Sequence, residues 1–275
     1  MEKLTNENYY SQESNMEYMS VSSFKDFQKC EVQAMDKLLG LVEEEKSDAL
    51  IFGGYIDAYF SGELDQYIEE NRDRLFLKNG NLKAPFQNVN EVIKTIEDDP
   101  FFLSFHKGET QRIYTGVING VKVKGKFDFD FIDKIVDQKV MKDFAKIWVE
   151  DKDTGRNVKT DFIEAYGYHI QGGVYQELRK QKIGDKVPFI IAATTKEECP
   201  DKALIQIDQE YLDKGLQEFS ELAPRYDLIK KGLLEPVGCG KCPSCRRRKK
   251  LTNVVLYSQF FNKESEGNNE EENAN

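Results

Sequence analysis

The stretch Gly125-Lys-Phe-Asp128-Phe-Asp-Phe-Ile-Asp-Lys-Ile-Val-Asp137-Gln-Lys139 decides how this chain is read. It sets acidic residues into apolar, strand-like sequence, and buried carboxylates are expensive unless they bind something. Asp128 ends one expected strand. Asp137 and Lys139 lie two apart on another, so their side chains point to the same face. Two carboxylates can hold a Mg²⁺ that keeps several of its waters. A lysine beside them can orient or deprotonate water, or stabilise negative charge on a phosphate. The bland alternative is an exposed ion pair on a strand.

Working outward, residues 109–117 alternate, Asn119-Gly120 is a hairpin signal, and residues 121–131 alternate again. Residues 132–140 continue as a third strand, completing a β-meander. Upstream, serines ahead of Phe24, Phe27 and Val32 cap a helix expected to run from Ser20 to about Leu41. Residues 49–60 read as a buried helix, with a strand as the alternative, and helices follow at 65–75 and from residues 90–96 on to Asp99-Pro100. Downstream come a helix at 161–180, strands at 187–193 and 204–207, and a long helix at 211–233. This order predicts an α/β (α+β) domain with a mixed sheet spanning residues 19–261. Residues 1–18 read as a loose polar arm and residues 262–275 as a disordered acidic tail.

Composition limits the function classes. Of 275 residues, 39% are hydrophobic and 12% aromatic, enough to build a core. The longest apolar run, residues 187–193, contains a proline and is far too short to span a bilayer. The polar N-terminus is neither a secretory signal nor a transit peptide. Five cysteines, three of them within Cys239–Cys245, point to a reducing cytoplasm and a metal site instead of a disulfide framework. A net charge of −10 argues against electrostatic coating of nucleic acid. Two basic stretches interrupt it: Lys122, Lys124, Lys126, Lys134, Lys139, Lys142 and Lys146, readable as a solvated face, and Arg246-Arg247-Arg248-Lys249-Lys250. His169 reads as structural, and His106 as exposed in a polar turn.

Asp128, Asp137 and Lys139 resemble the D…(D/E)-x-K signature of the PD-(D/E)xK nuclease superfamily. Gln171-Gly-Gly-Val-Tyr175 resembles the Q-x-x-x-Y motif of its RecB-like branch, although helix packing would also account for Gln171 and Tyr175. Phe52-Gly-Gly-Tyr-Ile-Asp57 resembles the Gly-x-x-x-His element of phage and prophage RecE-type exonucleases (putative exodeoxyribonuclease VIII), with Asp57 in place of the histidine. Glu109 stands where RecB-like nucleases often carry an acidic residue. The resemblance covers the chain from about Ser20 to Phe261. It implies a restriction-endonuclease-like core, a central mixed β-sheet flanked by helices. It also implies Mg²⁺ or Mn²⁺ held by Asp57, Asp128 and Asp137, with Lys139, Gln171 and Tyr175 completing the site. The implied activity is 5′→3′ digestion of linear double-stranded DNA ends, leaving 3′ single strands for phage recombination. A RecT-type annealing protein is the implied partner, a homo-oligomeric ring the implied assembly, and the bacterial host cytoplasm the compartment. The alternatives are a catalytically silent DNA-binding or adaptor module, and a CRISPR-associated-type nuclease trimming single-stranded ends.

Cys239, Cys242 and Cys245 follow a C-x2-C-x2-C spacing that suits an iron–sulfur cluster or a four-thiolate zinc site. The fourth ligand is Cys30 or Cys199. The segment from Ser20 to Cys30 resembles the S-x-S…C-P element of iron–sulfur RecB-like nucleases, which implies Cys30 and a [4Fe–4S] cluster. Glu31 in place of that proline, and a short last gap, keep structural Zn²⁺ open. Cys199 is then incidental, and Arg246–Lys250 are expected beside a DNA channel.

Overall fold

The computed structural model describes residues 4–42, 45–150 and 155–261. The expected acidic tail, 262–275, lies outside them. In chain order the helices α1 (Gln12–Glu17), α2 (Val21–Lys29), α3 (Glu31–Leu38), α4 (Asp48–Ser61), α5 (Leu64–Glu70), α6 (Arg72–Leu75), α7 (Val89–Glu97) and α8 (Pro100–Ser104) precede the strands β1 (Glu109–Ile118), β2 (Val121–Asp130) and β3 (Ile135–Met141). A hairpin, β4 (Ile147–Glu150) and β5 (Asn157–Thr160), leads to α9 (Phe162–Ala165) and α10 (Tyr168–Ile183). Then come β6 (Phe189–Thr195), β7 (Lys202–Gln206), α11 (Gln209–Lys230), α12 (Pro243–Arg248) and α13 (Tyr257–Phe260).

The central sheet has the order β1-β2-β3-β6-β7. The meander β1-β2-β3 is antiparallel, β3 and β6 run parallel, and β7 returns antiparallel. This is the expected mixed sheet flanked by helices. Asn119 and Gly120 both take left-handed backbone (φ 45° and 80°), as the β1–β2 hairpin turn requires. One core packs α2, α10 and α11 against the sheet around Phe24, Phe127, Val174 and Phe219. A second packs α4 and α7 around Phe52, Ile56, Ile93 and Phe129. In α10, Gly172 and Gly173 permit close contact with α11: a Cβ at Gly173 would lie 2.2 Å from the Leu212 carbonyl oxygen.

Four expectations change. The helix expected from Ser20 breaks at Cys30, whose extended backbone (φ −168°, ψ 113°) separates α2 from α3. The β4–β5 hairpin lay unread inside the crossover between β3 and α10. Residues 4–18 are no loose arm. Ser11 caps α1, Tyr9 is buried, and Met19 exchanges backbone hydrogen bonds with Lys122 and Lys124 (2.8 and 3.0 Å). Lys124 is therefore not part of a solvated basic face; it is 1% exposed. Finally, His106 is 4% exposed, set among Phe60, Phe102 and Phe129, and not in an open turn.

Candidate active site

The site forms where two strands part. β2 and β3 pair only at Phe129–Val136 and Asp130–Ile135. Beyond that, the Asp128 carboxylate (Oδ2) accepts the Gln138 backbone N–H at 2.9 Å, so a side chain takes over from the ladder. Asp137, on β3, is 1% exposed. Its Oδ1 accepts a hydrogen bond from Gln171 Nε2 of α10 at 2.7 Å, and its Oδ2 forms an ion pair with Lys139. Lys139 Nζ also donates to the Gln138 carbonyl at 3.1 Å and lies 5.3 Å from the Tyr168 ring centre. The parallel partner β6 presents Ile191 and Ala193 opposite Asp137 and Lys139, apolar neighbours that leave the two charged groups to each other.

Asp57 arrives from α4. Its Oδ2 accepts from Gln111 Nε2 at 3.2 Å, while its buried Oδ1 has no hydrogen-bond partner among the described residues. Gln111 is one of two non-glycine residues with positive φ (54°) among those described. It occupies the gap in the β1–β2 register opposite Asp128. Such a conformation costs on the order of 1–3 kcal/mol and is held only when its surroundings demand it. Here it delivers an amide to Asp57, a contact no motif announced.

The electrostatics are those of a crowded acidic cluster. Burial, then the charges of Asp137 and Asp57, push the Asp128 carboxyl well above the usual range. Asp57 is raised by burial too, against the pull of Lys139 and Lys126. Burial would lower Lys139, but Asp137 and Asp128 outweigh it, so the amine stays cationic. Lys25 of α2 is pushed down to about 8 by burial and by Lys139. Three carboxylates sharing one full cationic partner, with one buried oxygen unmatched, make a donor set that suits a hard divalent cation.

Other residues singled out by the sequence are accounted for differently. Asp130 is held by Arg179 Nε at 2.9 Å and by the Tyr114 hydroxyl at 2.5 Å, a buried structural tie. Glu109 is exposed and paired with Arg112. Tyr175 does not reach a carboxylate; its hydroxyl donates to the Lys126 carbonyl at 3.1 Å and its ring stacks on Phe127. His169 packs near Glu218, 4.0 Å away.

The cysteines converge as a second centre. Cys30, Cys239, Cys242 and Cys245 place their sulfurs all within 4.8 Å of one another, while Cys199 is exposed. Cys30 Sγ lies 3.6 Å from Cys245 Sγ and 3.5 Å from Cys242 Sγ. Backbone N–H groups of Cys239, Cys242 and Cys245 point at sulfurs of the same group, the usual second layer around thiolate ligands. In the adjoining basic run, Arg246, Arg247, Lys249 and Lys250 are exposed. Arg248 instead grips Asp36 with two nitrogens at 2.5 Å each, fastening α12 to α3.

Comparison with known proteins agrees with this geometry. The family model of a PDDEXK-like domain of unknown function (DUF3799) matches residues 20–248. A crystal structure from Eubacterium rectale, described as "Putative exonuclease", superposes with a TM-score of 0.87 at 41% identity, covering 94% of this chain and 98% of that one. Comparison with curated proteins gives no match. The sheet, the D…D-x-K placement across β2 and β3 and the extent of these matches agree, and the chain belongs to the PDDEXK-like DUF3799 family, with a PD-(D/E)xK nuclease fold.

Proposed function

We propose that this protein is a divalent-metal-dependent exonuclease acting on the ends of linear double-stranded DNA. The observation that carries this reading is Asp137, buried, oriented by Gln171 and paired with Lys139 beside Asp128. Asp57, Asp128 and Asp137 would hold Mg²⁺ or Mn²⁺. The crowding of their charges and the unmatched Asp57 Oδ1 fit such an ion. When bound, it would lower the pKa of a water and neutralise charge on the phosphoryl oxygens. The chain's own residues do the rest. Gln171 and Gln111 fix the rotamers of Asp137 and Asp57. Lys139, kept cationic, faces the negative charge that builds on the scissile phosphate.

The relative described as an exonuclease favours attack at ends over internal cutting. The RecE-type role, 5′→3′ polarity, 3′ single-stranded products, a RecT-type partner, a ring assembly and work in the bacterial cytoplasm rest on the sequence resemblance. No helix of the described residues is long and apolar enough to cross a membrane. Arg246, Arg247, Lys249 and Lys250 are available for phosphate contacts; Arg248 is engaged with Asp36.

For the cysteines we propose one structural Zn²⁺ in preference to a [4Fe–4S] cluster. Four thiolates about 2.3 Å from one tetrahedral ion stand about 3.8 Å apart, and the observed separations of 3.5 and 3.6 Å fit that arrangement. A cubane puts each thiolate on a different iron, at outward corners, and needs wider spacing.

The test is digestion of 5′-phosphorylated linear duplex by wild type and Lys139→Ala, with and without Mg²⁺ or Mn²⁺. Metal-dependent nucleotide release that vanishes in Lys139→Ala is expected. A folded, metal-replete wild type that releases nothing would overturn the reading in favour of a silent DNA-binding module. Preference for single strands over blunt duplex would favour the end-trimming alternative.

A further inference from the structure

The N-terminal segment brings to the active site a residue that no motif marks. Lys124, buried within β2, donates from Nζ to the Tyr9 carbonyl at 2.5 Å, and to Ser14 Oγ and Asn15 Oδ1 at 2.8 Å each. Its amine also lies 4.5 Å from the Tyr9 ring centre. A buried amine thus ties the Tyr9 backbone to the side chains of Ser14 and Asn15. Tyr10, the next residue, is 68% exposed. It meets Tyr9 edge-on, with centroids 4.9 Å apart and planes at 84°. Lys126 Nζ sits 5.1 Å from the Tyr10 ring centre.

Lys126 ties this ring to the carboxylates. It stands two residues before Asp128, Tyr175 anchors its carbonyl, and its charge acts on Asp57. Although Tyr10 is exposed as a residue, the crowding around its phenol, then the charges of Asp128, Asp57 and Glu63, push it up to about 12. Its contact with Lys126, two residues before Asp128 on β2, sets Tyr10 on the side of that strand that carries Asp128. It completes no part of the core, and exposing a large apolar ring gains nothing for the fold. A rigidly mounted, exposed aromatic next to a cation is the combination that binds unpaired nucleotides, by base stacking and phosphate attraction.

We propose that Tyr10 is the stacking platform for the nucleobase adjoining the scissile phosphate, with Lys126 meeting the neighbouring phosphodiester. This rests on the nuclease reading for what the site cuts. A terminal base can stack on Tyr10 with its pairing edge free or engaged, so the platform can cap a duplex end or hold a single strand. Lys124 is a positioning residue that holds the platform in place in the folded chain.

The experiment uses the full chain without divalent metal, and oligonucleotides carrying the fluorescent base 2-aminopurine at the terminal position, single-stranded and in blunt duplex. Stacking quenches this base. Wild type and Tyr10→Phe are expected to quench it saturably. Tyr10→Ala is expected to lose the quenching and bind about tenfold more weakly, with its thermal midpoint unchanged because the residue is exposed. Lys124→Met, checked for folding by circular dichroism, is expected to quench less than wild type. Wild-type quenching that persists in Tyr10→Ala, or no binding of the probe by wild type, overturns the proposal. The two readings fail separately. Digestion by wild type with no effect of Tyr10→Ala removes the platform and keeps the nuclease. Tyr10-dependent quenching by a wild type that never digests DNA does the reverse.

Discussion

Gln171→Ala is the sharpest test of how the site is held. Gln171 Nε2 is the hydrogen-bond donor to Asp137 Oδ1, at 2.7 Å, and Asp137 is almost wholly buried. Removing the amide leaves a buried acceptor short of its partner, which costs about 1–3 kcal/mol. At 1.4 kcal/mol per factor of ten, that is about 5–150-fold, matching the roughly 10–100-fold penalty typical of lost outer-shell partners of metal ligands. The loss is expected in metal affinity, because a free-swinging carboxylate binds a cation less well. The metal-free fold bears a share of the same cost, while the close contact of α10 with α11 at Gly172 and Gly173 is kept. The assay is the initial rate of duplex digestion against Mg²⁺ concentration. The half-saturating concentration should rise about 10–100-fold, with much of the rate recovered at high metal. An unchanged metal dependence together with a lowered thermal midpoint would refute the reasoning and make Gln171 a packing residue.

Three further outcomes follow from the geometry. Burial pushes His106 down to about 4, against the help of the Phe102 carbonyl. The unfolded chain takes up a proton near pH 6.5 that the folded chain refuses, so stability is complete above 6.5 and falls as pH drops toward 4. The loss is about 2 kcal/mol by pH 5, and His106→Phe should flatten it in urea titrations at pH 7 and 5; an equal slope in both proteins would count against a neutral buried imidazole. Metal analysis should find one zinc per colourless chain, lost in Cys30→Ser along with thermal stability; a brown chromophore, or zinc retained by the variant, would contradict the assignment. Arg247→Ala should weaken DNA binding and lower its salt slope by about one without touching stability, whereas Arg248→Ala should destabilise α12 through Asp36; the reverse pattern in melting and binding titrations would refute the division.

Much of the sheet was legible because strand alternation and the Asn119-Gly120 turn are local signals. The carboxylate–lysine pair was legible for the same reason: two residues on one strand face need no tertiary knowledge. What could not be read depends on distant partners. Asp128 and Asp130 occupy equivalent places in the alternating pattern, and Arg179, 49 residues on, makes one of them structural. Gln111 reaches Asp57 across 54 residues. The N-terminal segment has little hydrophobic periodicity, and it is fixed by an amine from β2 that looked like one cation among many. Cys30 breaks a helix whose periodicity runs straight through it, because its thiol is turned toward sulfurs more than 200 residues away. Each failure has the same cause: a polar contact over long sequence separation leaves no periodic trace.

The Asp128 carboxylate that stands in for a ladder bond has a practical side. Deleting it with alanine would orphan the Gln138 N–H at the point where β2 and β3 diverge. If Asp128 holds metal as proposed, an inactive Asp128→Ala protein would then mix two injuries, a lost ligand and a misaligned β3 that carries both Asp137 and Lys139. Asn at that position keeps an acceptor for the amide while removing the charge. It is the cleaner inactive form for trapping a DNA complex, and comparing the two substitutions separates the catalytic work of this side chain from its carpentry.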